Sequence, residues 1–190
     1  MRLFVAADLS DETRAQVRSV RDQLEPLLRG RRAARVTWVR GQAAHVTLRF
    51  IGERSDQDAA AIASALMTGF AVASCDARWD RLGTFPAGRR PRVVWIGATA
   101  GADALANLAR LVAARLEPVI GPGETPPFNA HVTIGRVRDP GKIAWPEALT
   151  RVTLEPTITY VDHVTLYRSH LSPKGSTYTE LCRAPLISRT

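Results

Sequence analysis

Three near-copies of one hexapeptide stand out in this sequence: HVTLRF at 45–50, HVTIGR at 131–136 and HVTLYR at 163–168. The chain contains only four histidines and three of them begin a copy, so chance repetition is a poor explanation. The first four residues of each copy alternate between polar and apolar, which is typical of a half-buried β-strand. In such a strand the histidine ring and the threonine hydroxyl two residues later project from the same face. Each copy therefore offers one proton carrier and one hydroxyl donor.

The order of predicted elements around the hexapeptides repeats once along the chain. Each half reads as a strand, a helix, a strand that carries a hexapeptide, a second helix and a further strand. His45 and His131 fall on equivalent strands of this pseudo-repeat, whereas His163 falls on a later strand that answers to 77–85 in the first half. The repeat therefore pairs the first two copies and predicts a structural or peripheral role for His163. The predicted strands are 3–9, 35–39, 44–52, 77–85, 92–98, 130–137, 151–160, 162–169 and a terminal one within 172–186, and the predicted helices are one that begins after Ser10, then 56–70, 103–117 and 146–149.

The composition favours a globular protein with a polyanionic partner. The chain has 190 residues, of which 45% are hydrophobic, and this is enough for one domain with a sizeable core. Its net charge of +8 comes almost entirely from arginine, which suits RNA, although abundant arginine and alanine can also reflect GC-rich coding. The opening MRLFVAADLSDET has too short an apolar run for a signal peptide, and no later stretch has the length of a membrane span. A cytoplasmic protein without membrane association is expected.

Several other polar or reactive residues are assigned no catalytic role. Cys75 and Cys182 lack metal-ligand spacing, and a reducing compartment gives no reason for a disulfide, so both are predicted to be buried small residues. His170 lies in a predicted turn and is expected at the surface. Arginines in two predicted loops either steer RNA or keep the protein soluble; they are Arg31, Arg32, Arg89 and Arg90.

Two equivalent hexapeptides that face each other across a cleft would suit the cleavage of a phosphodiester. With pKa values of about 6.5, one neutral imidazole can take a proton from water while the other, charged, gives a proton to the leaving oxygen. The hydroxyls of Thr47 and Thr133 would hold the non-bridging phosphate oxygens, where negative charge builds up in the transition state. This chemistry needs no metal ion, and no acidic metal cluster is evident in the sequence.

The stretches HVTLRFIGE at 45–53 and FNAHVTIGR at 128–136 resemble the paired H-x-T-x signatures of the 2H phosphoesterase superfamily, and in particular its RNA 2′,3′-cyclic phosphodiesterases, also called 2′-5′ RNA ligases. The likeness extends along the chain, through LFVAADL, GTFP followed by RPRVVWIG, and LYRSHLSPKGSTYTEL. The resemblance implies a single two-lobed α+β domain over residues 1–190, related internally by a pseudo-twofold axis. Each lobe would be an antiparallel sheet with helices on its outer face, and the active-site cleft would lie between the lobes.

The resemblance also implies an activity and a set of site residues. The protein would hydrolyse the 2′,3′-cyclic phosphate of an RNA end or a small nucleotide to a 2′-phosphate without cofactor or metal. A monomer is expected. His45 would be the proton donor to the departing 3′ oxygen, and His131 the proton acceptor that activates water. Thr47 and Thr133 would bind phosphate, and Arg136 would be a further anion contact.

The segment before the second hexapeptide holds one more candidate and a departure from the family pattern. Phe128 would either offer its face to a base or simply pack. The position before the histidine is often proline in this family, and here it is Ala130. Pro126 and Pro127 would restrain the loop instead.

Three other interpretations stay open at this point. The same site could run the reaction in reverse and join RNA ends through a 2′-5′ linkage. A protein that binds RNA in the cleft without turnover would have no need of two proton carriers, which argues against that class. A metal site formed by His45, His131 and His163 is disfavoured, because the strand spacing gives no chelating cluster and no carboxylate accompanies the histidines.

Overall fold

Ten β-strands and four α-helices form in the part of the chain that the computed structural model describes, residues 1–30, 33–122, 127–172 and 175–188. Three residues with sequence predictions, Arg31, Arg32 and Pro126, lie outside these ranges. None of the helices in the described ranges is long and apolar enough to cross a membrane. The strands are β1 (Arg2–Ala7), β2 (Arg35–Trp38), β3 (Val46–Glu53), β4 (Phe70–Ala73), β5 (Cys75–Phe85), β6 (Val93–Ala98), β7 (His131–Asp139), β8 (Thr157–Val161), β9 (His163–Ser172) and β10 (Gly175–Ile187). The helices are α1 (Asp11–Leu27), α2 (Asp56–Met67), α3 (Ala102–Ile120) and α4 (Trp145–Thr150).

Two five-stranded sheets form the framework of the fold. One has the strand order β3-β1-β9-β10-β4, and the other has the order β2-β7-β6-β5-β8. Neighbouring strands are antiparallel except β4 and β10, which pair in parallel. The order β3-β1-β9 in the first sheet matches β7-β6-β5 in the second, which is the relation expected of a pseudo-twofold axis. The predicted α+β class with two largely antiparallel sheets is confirmed.

The two sheets do not correspond to the two halves of the chain that the order of elements defines. The strand β5 belongs to the first half of the chain but pairs with β6 of the second half. The strands β9 and β10 belong to the second half but extend the sheet that contains β1. The helix α1 follows β1 but packs against β7 and β8 of the other sheet. Each lobe therefore contains strands from both halves of the chain.

Side-chain caps set the starts of the first two helices. The Ser10 hydroxyl accepts a hydrogen bond from the backbone N–H of Thr13 at 3.2 Å, where α1 begins. At the start of α2, Ser55 and Asp58 each accept from the other's backbone N–H, which is a capping box. These caps satisfy N–H groups that have no partner inside the helix, so both helix starts follow from local sequence.

Several predicted elements differ from the structure at their ends, and two of these differences have a local cause. The second helix was expected to run to Phe70, but Gly69 adopts a left-handed backbone with φ 72° and Phe70 begins β4. A strand was expected over 151–160, but β8 begins only at Thr157. Pro156 directly before it has no N–H to donate to a neighbouring strand, which explains the late start.

A buried glutamine fixes α1 to the second sheet. The Gln16 amide donates to the backbone carbonyls of Trp79 at 2.9 Å and Glu155 at 2.6 Å, and its carbonyl accepts from the Thr157 hydroxyl at 3.0 Å. Trp79 is fully buried and donates through its indole N–H to the Thr159 hydroxyl at 3.0 Å. Because buried polar groups without partners are costly, these bonds favour one orientation of the helix over the sheet.

Candidate active site

The first two hexapeptides occupy equivalent strands in the two sheets. His45 immediately precedes β3, and His131 is the first residue of β7. Both side chains line one cavity of about 740 Å³, together with Thr47 and Thr133. The structure therefore brings together the four residues that the sequence paired.

Each of these strands carries a β-bulge directly after its threonine. The pairing of β3 with β1 skips Leu48, and the pairing of β7 with β6 skips Ile134. A bulge inserts one extra residue in a strand and so reverses the alternation of side chains beyond it. Strict alternation from His131 would point residue 136 away from the cavity. Because of the bulge, Arg136 lines the cavity instead, and Phe50 lines it at the equivalent position on β3.

The two histidine rings are held in the same way. The Nδ1 of His45 donates to the backbone carbonyl of Ala43 at 2.9 Å, and the Nδ1 of His131 donates to that of Asn129 at 2.8 Å. Because a carbonyl oxygen only accepts, both bonds require a proton on Nδ1 and leave Nε2 available for proton exchange. The Nε2 of His45 lies 3.1 Å from the Thr47 hydroxyl oxygen.

Aromatic rings support each imidazole. Phe4 on β1 stacks on His45, with ring centroids 4.6 Å apart and planes inclined by 27°. Tyr178 on β10 meets His45 edge-on at 5.2 Å. Phe85 on β5 meets His131 edge-on at 5.2 Å. These contacts restrict rotation of the imidazoles, so both rings are oriented before any ligand binds.

Arginine supplies the charge of the cavity. No carboxylate is found among the described residues that line it, whereas four arginines are. One of them, Arg2, lies over the ring of Phe50 at 4.8 Å, and another, Arg138, donates through Nε to the Thr37 hydroxyl at 3.3 Å. A cavity of this composition favours anionic ligands such as phosphates. The four arginines are Arg2, Arg40, Arg136 and Arg138.

Burial and positive neighbours lower the pKa of both imidazoles. For His45, burial is the main cause of the lowered pKa; its backbone hydrogen bond and the charge of Asp8 act in the opposite direction, and Arg136 and His131 lower the pKa further. For His131, burial is again the main cause, its backbone hydrogen bond opposes it, and Arg136 reinforces it. The negative charge of Asp8 therefore favours the protonated form of His45.

The structure keeps the remaining candidates away from the cavity. Phe128 is partly buried against the hydrophobic core and is not among the residues that line the cavity, so its contact with a base stays a prediction. His163 is hydrogen-bonded through both ring nitrogens to carboxylates and does not join the two cavity histidines. His170 is exposed and lies 3.1 Å from the Thr179 hydroxyl. Arg89 and Arg90 are exposed in the turn between β5 and β6.

Several cavity residues were not predicted from the sequence. Arg138 follows Arg136 by two residues on β7, so alternation along the strand could have identified it. Phe4, Trp38 and Tyr178 come from three different strands of the two sheets. Only long-range strand pairing brings these aromatic residues to the histidines, and no local signal marks them.

The fold and the site define a class of protein: two-lobed α+β proteins in which paired His-x-Thr motifs, one on each sheet, face a common cavity. The family model described as the 2′-5′ RNA ligase superfamily matches residues 4–173. The chain belongs to this superfamily, and the resemblance inferred from the hexapeptides is confirmed.

Relatives and solved structures agree with this assignment. The chain is 34% identical over 151 residues to the RNA 2′,3′-cyclic phosphodiesterase of Aquifex aeolicus, a match that covers 75% of this chain and 77% of that protein. It is 31% identical over 185 residues to the protein of the same name from Archaeoglobus fulgidus, covering 95% and 98%. TT0787 of Thermus thermophilus matches with a TM-score of 0.74 at 29% identity over 97% of each chain. E. coli LigT complexed with 3′-AMP matches with a TM-score of 0.74 at 28% identity, also over 97% of each chain.

Proposed function

We propose that this protein is an RNA 2′,3′-cyclic phosphodiesterase that opens a terminal cyclic phosphate to a 2′-phosphate. The observation that carries the proposal is the matched pair of imidazoles in one arginine-lined cavity, each with Nδ1 bound to a carbonyl and Nε2 left for proton transfer. The activity named for the relatives from Aquifex aeolicus and Archaeoglobus fulgidus supports the same conclusion.

The proposed reaction divides the two proton transfers between the histidines. The neutral Nε2 of His131 takes a proton from water as the water oxygen attacks the phosphorus atom. The bond between phosphorus and the 3′ oxygen breaks, and the protonated Nε2 of His45 gives its proton to that oxygen. The product carries a 2′-phosphate and a 3′-hydroxyl, and exchange with solvent returns both imidazoles to their starting states.

The threonines and one arginine would stabilise the phosphate during this step. The hydroxyls of Thr47 and Thr133 would donate to the non-bridging oxygens, and the Arg136 guanidinium would balance the charge that develops there. These groups supply every proton transfer and phosphate contact that the step requires, so we infer that the reaction proceeds without a metal ion.

Two alternatives use the same cavity. Ligation of a 2′,3′-cyclic end to a 5′-hydroxyl end through a 2′-5′ linkage is the same chemistry with an RNA hydroxyl in place of water, so it requires no further residue. RNA binding without turnover would not require two imidazoles whose Nε2 atoms are oriented for proton transfer. The geometry therefore favours catalysis. Hydrolysis is the expected reaction, because water can enter the open cavity and act as the nucleophile.

The decisive experiment is turnover of an RNA oligonucleotide with a 2′,3′-cyclic phosphate end, in the presence of a chelator, with identification of the product isomer. We expect the 2′-phosphate, and losses of at least about 10²-fold in His45→Ala and His131→Ala. His170→Ala is the matched control, because it removes an exposed histidine outside the cavity, and it should stay within a few-fold of the unaltered protein.

The outcomes separate the alternatives. Turnover that the chelator abolishes, or full activity in His131→Ala, would contradict the mechanism. Addition of an RNA with a 5′-hydroxyl end tests ligation, which would appear as a joined product with a linkage resistant to 3′-5′-specific nucleases. Tight RNA binding with no product of either kind would instead identify a binding protein.

A further inference from the structure

The third hexapeptide builds a polar cluster around Asp8. This residue follows β1, and its carboxylate accepts hydrogen bonds from His163 Nε2 at 3.0 Å, the Thr165 hydroxyl at 2.8 Å and the Tyr167 hydroxyl at 2.6 Å. The three donors lie at alternate positions of β9, so one face of HVTLY converges on a single carboxylate. Asp8 is largely buried, with 16% of its side chain exposed, and a buried carboxylate with three donors is strongly held.

The cluster is connected to His45 through aromatic stacking across the sheet. The Tyr167 ring, which donates to Asp8, stacks on Phe4 with centroids 5.5 Å apart and planes inclined by 25°. Phe4 in turn stacks on His45 at 4.6 Å. Because β1 lies between β9 and β3, these contacts run from the third hexapeptide to the first. Tyr178 meets both Phe4 and His45 edge-on and holds the stack from β10.

Asp8 is ionised across the range in which the histidines titrate. Burial alone would raise its pKa, but the hydrogen bonds from His163, Tyr167 and Thr165 outweigh burial and hold the pKa well below its usual range. Its negative charge acts on His45 and favours the protonated imidazole, against burial and the positive charges of Arg136 and His131 on β7. No such carboxylate acts on His131, within the described residues.

His163 is the counter-charge of Asp8. Its Nε2 faces Asp8 and its Nδ1 lies 2.5 Å from Asp162, so both ring nitrogens donate only if the ring is an imidazolium. The hydrogen bond to Asp8 is the main reason that the pKa of His163 is raised. The neighbouring strand β10 adds Arg183 and Glu180, which pair with each other at 2.9 Å.

We propose that Asp8 is a positioning residue for His45, whose carboxylate orients the imidazole through Tyr167 and Phe4 and favours its protonated form, and that His163 limits this effect by balancing the charge of Asp8. The carboxylate lies behind only one of the two cavity histidines, so it distinguishes the proton donor from the proton acceptor. The identification of His45 as the donor rests on the proposed function, whereas the effect of Asp8 on its protonation does not.

The test is the titration of the His45 ring followed by NMR, with its signal assigned by its loss in His45→Ala. His163→Gln removes the counter-charge and should move the His45 midpoint to higher pH. Asp8→Asn added to His163→Gln removes the remaining charge and should move the midpoint back to lower pH. The His131 midpoint should move much less in both variants, because Asp8 acts on His45 and reaches His131 only through the repulsion between the two imidazoles.

Glu147→Gln is the control, since it converts an exposed carboxylate on α4, outside the Asp8 cluster, to an amide. Its His45 midpoint should not move. An unchanged His45 midpoint in His163→Gln and in the double variant would overturn the proposal, and so would equal movement of His45 and His131. If the cluster were merely structural, the two variants would lower the melting temperature but would not move the His45 midpoint in opposite directions.

Activity measurements keep this proposal apart from the proposed function. In the bell-shaped pH profile of kcat/KM, one limb should follow the His45 midpoint in each variant, and the other limb should move much less. If the protein shows no turnover but the midpoint moves as expected, the proposed function fails and the role of Asp8 stands. If turnover is present and neither the midpoint nor a limb moves, the role of Asp8 fails alone.

Discussion

Substitution of Gly83 by alanine should disturb the cavity although Gly83 is not part of it. Gly83 on β5 lies directly opposite Trp95 on β6, and the indole crosses the space that a side chain at 83 would occupy. A Cβ atom at Gly83 would lie 2.4 Å from Cζ2 of Trp95, and real Cβ atoms essentially never come closer than 3.0 Å to another heavy atom. The indole must therefore move by at least about 0.6 Å. Gly97 approaches the same ring, since a Cβ there would lie 2.7 Å from Cζ3.

The displacement would reach His131 through one intermediate ring. Trp95 stacks on Phe85 with centroids 4.9 Å apart and planes inclined by 29°, and Phe85 meets His131 edge-on. Overpacking of this kind costs about 1–3 kcal/mol of the free energy of unfolding. For a chain of this length that lowers the melting temperature by roughly 2–12 °C. A displacement of a catalytic group approaching 1 Å can cost about 10²-fold in rate, so kcat should fall by up to that factor.

Thermal unfolding and steady-state kinetics on the cyclic-phosphate RNA check both effects. Arg81→Ala is a suitable control, because it alters an exposed side chain two residues away on the same strand. Trp95→Phe combined with Gly83→Ala should recover part of the loss, since the smaller ring relieves the contact, and the two substitutions should therefore be non-additive. Unchanged melting temperature and kcat in Gly83→Ala would refute the inference that the Trp95 and Phe85 rings hold His131 in place.

Two further predictions concern charge. His163→Gln should cost about 1–3 kcal/mol of the free energy of unfolding at about pH 5 and less at about pH 9, measured by urea unfolding. Because folding raises the pKa of His163, the stability that its charge contributes is complete below the pKa of the unfolded state and is lost as pH rises through the pKa of the folded state. The pKa of Asp8 is lowered, so the stability that its charge contributes is lost only in acid. An equal cost of His163→Gln at both pH values would contradict this assignment. Arg136→Gln should lower kcat/KM by on the order of 10²-fold. It should also shift both limbs of the pH profile to higher pH, because Arg136 lowers the pKa of both His45 and His131. A profile that keeps its shape and position would show that the charge of Arg136 does not act on the two rings.

Local sequence patterns predicted most strands and helices of the fold and the two histidines and two threonines of the cavity. Alternation and helical spacing are properties of neighbouring residues, so the strands around His45 and His131 and the helix start at Ser10 could be identified without a structure. The order of elements then paired the two histidines and set His163 apart. The long-range exchange of β5 and β9 between the sheets could not be predicted, because nothing in a strand's own sequence specifies its distant partner.

Tertiary structure decided what surrounds the paired histidines. Strict alternation would exclude residue 136 from the His131 face, and only the bulge at Ile134, visible in the pairing with β6, explains why Arg136 lines the cavity. The third hexapeptide likewise owes its place to contacts across the sheet: its His163 faces Asp8, 155 positions away in the chain. The sequence by itself determined which proton carriers and hydroxyls are available, since these are covalent properties of the residues. Their orientation, their charge environment and their connection to Asp8 depend on strand register and packing, which arise only when distant segments meet.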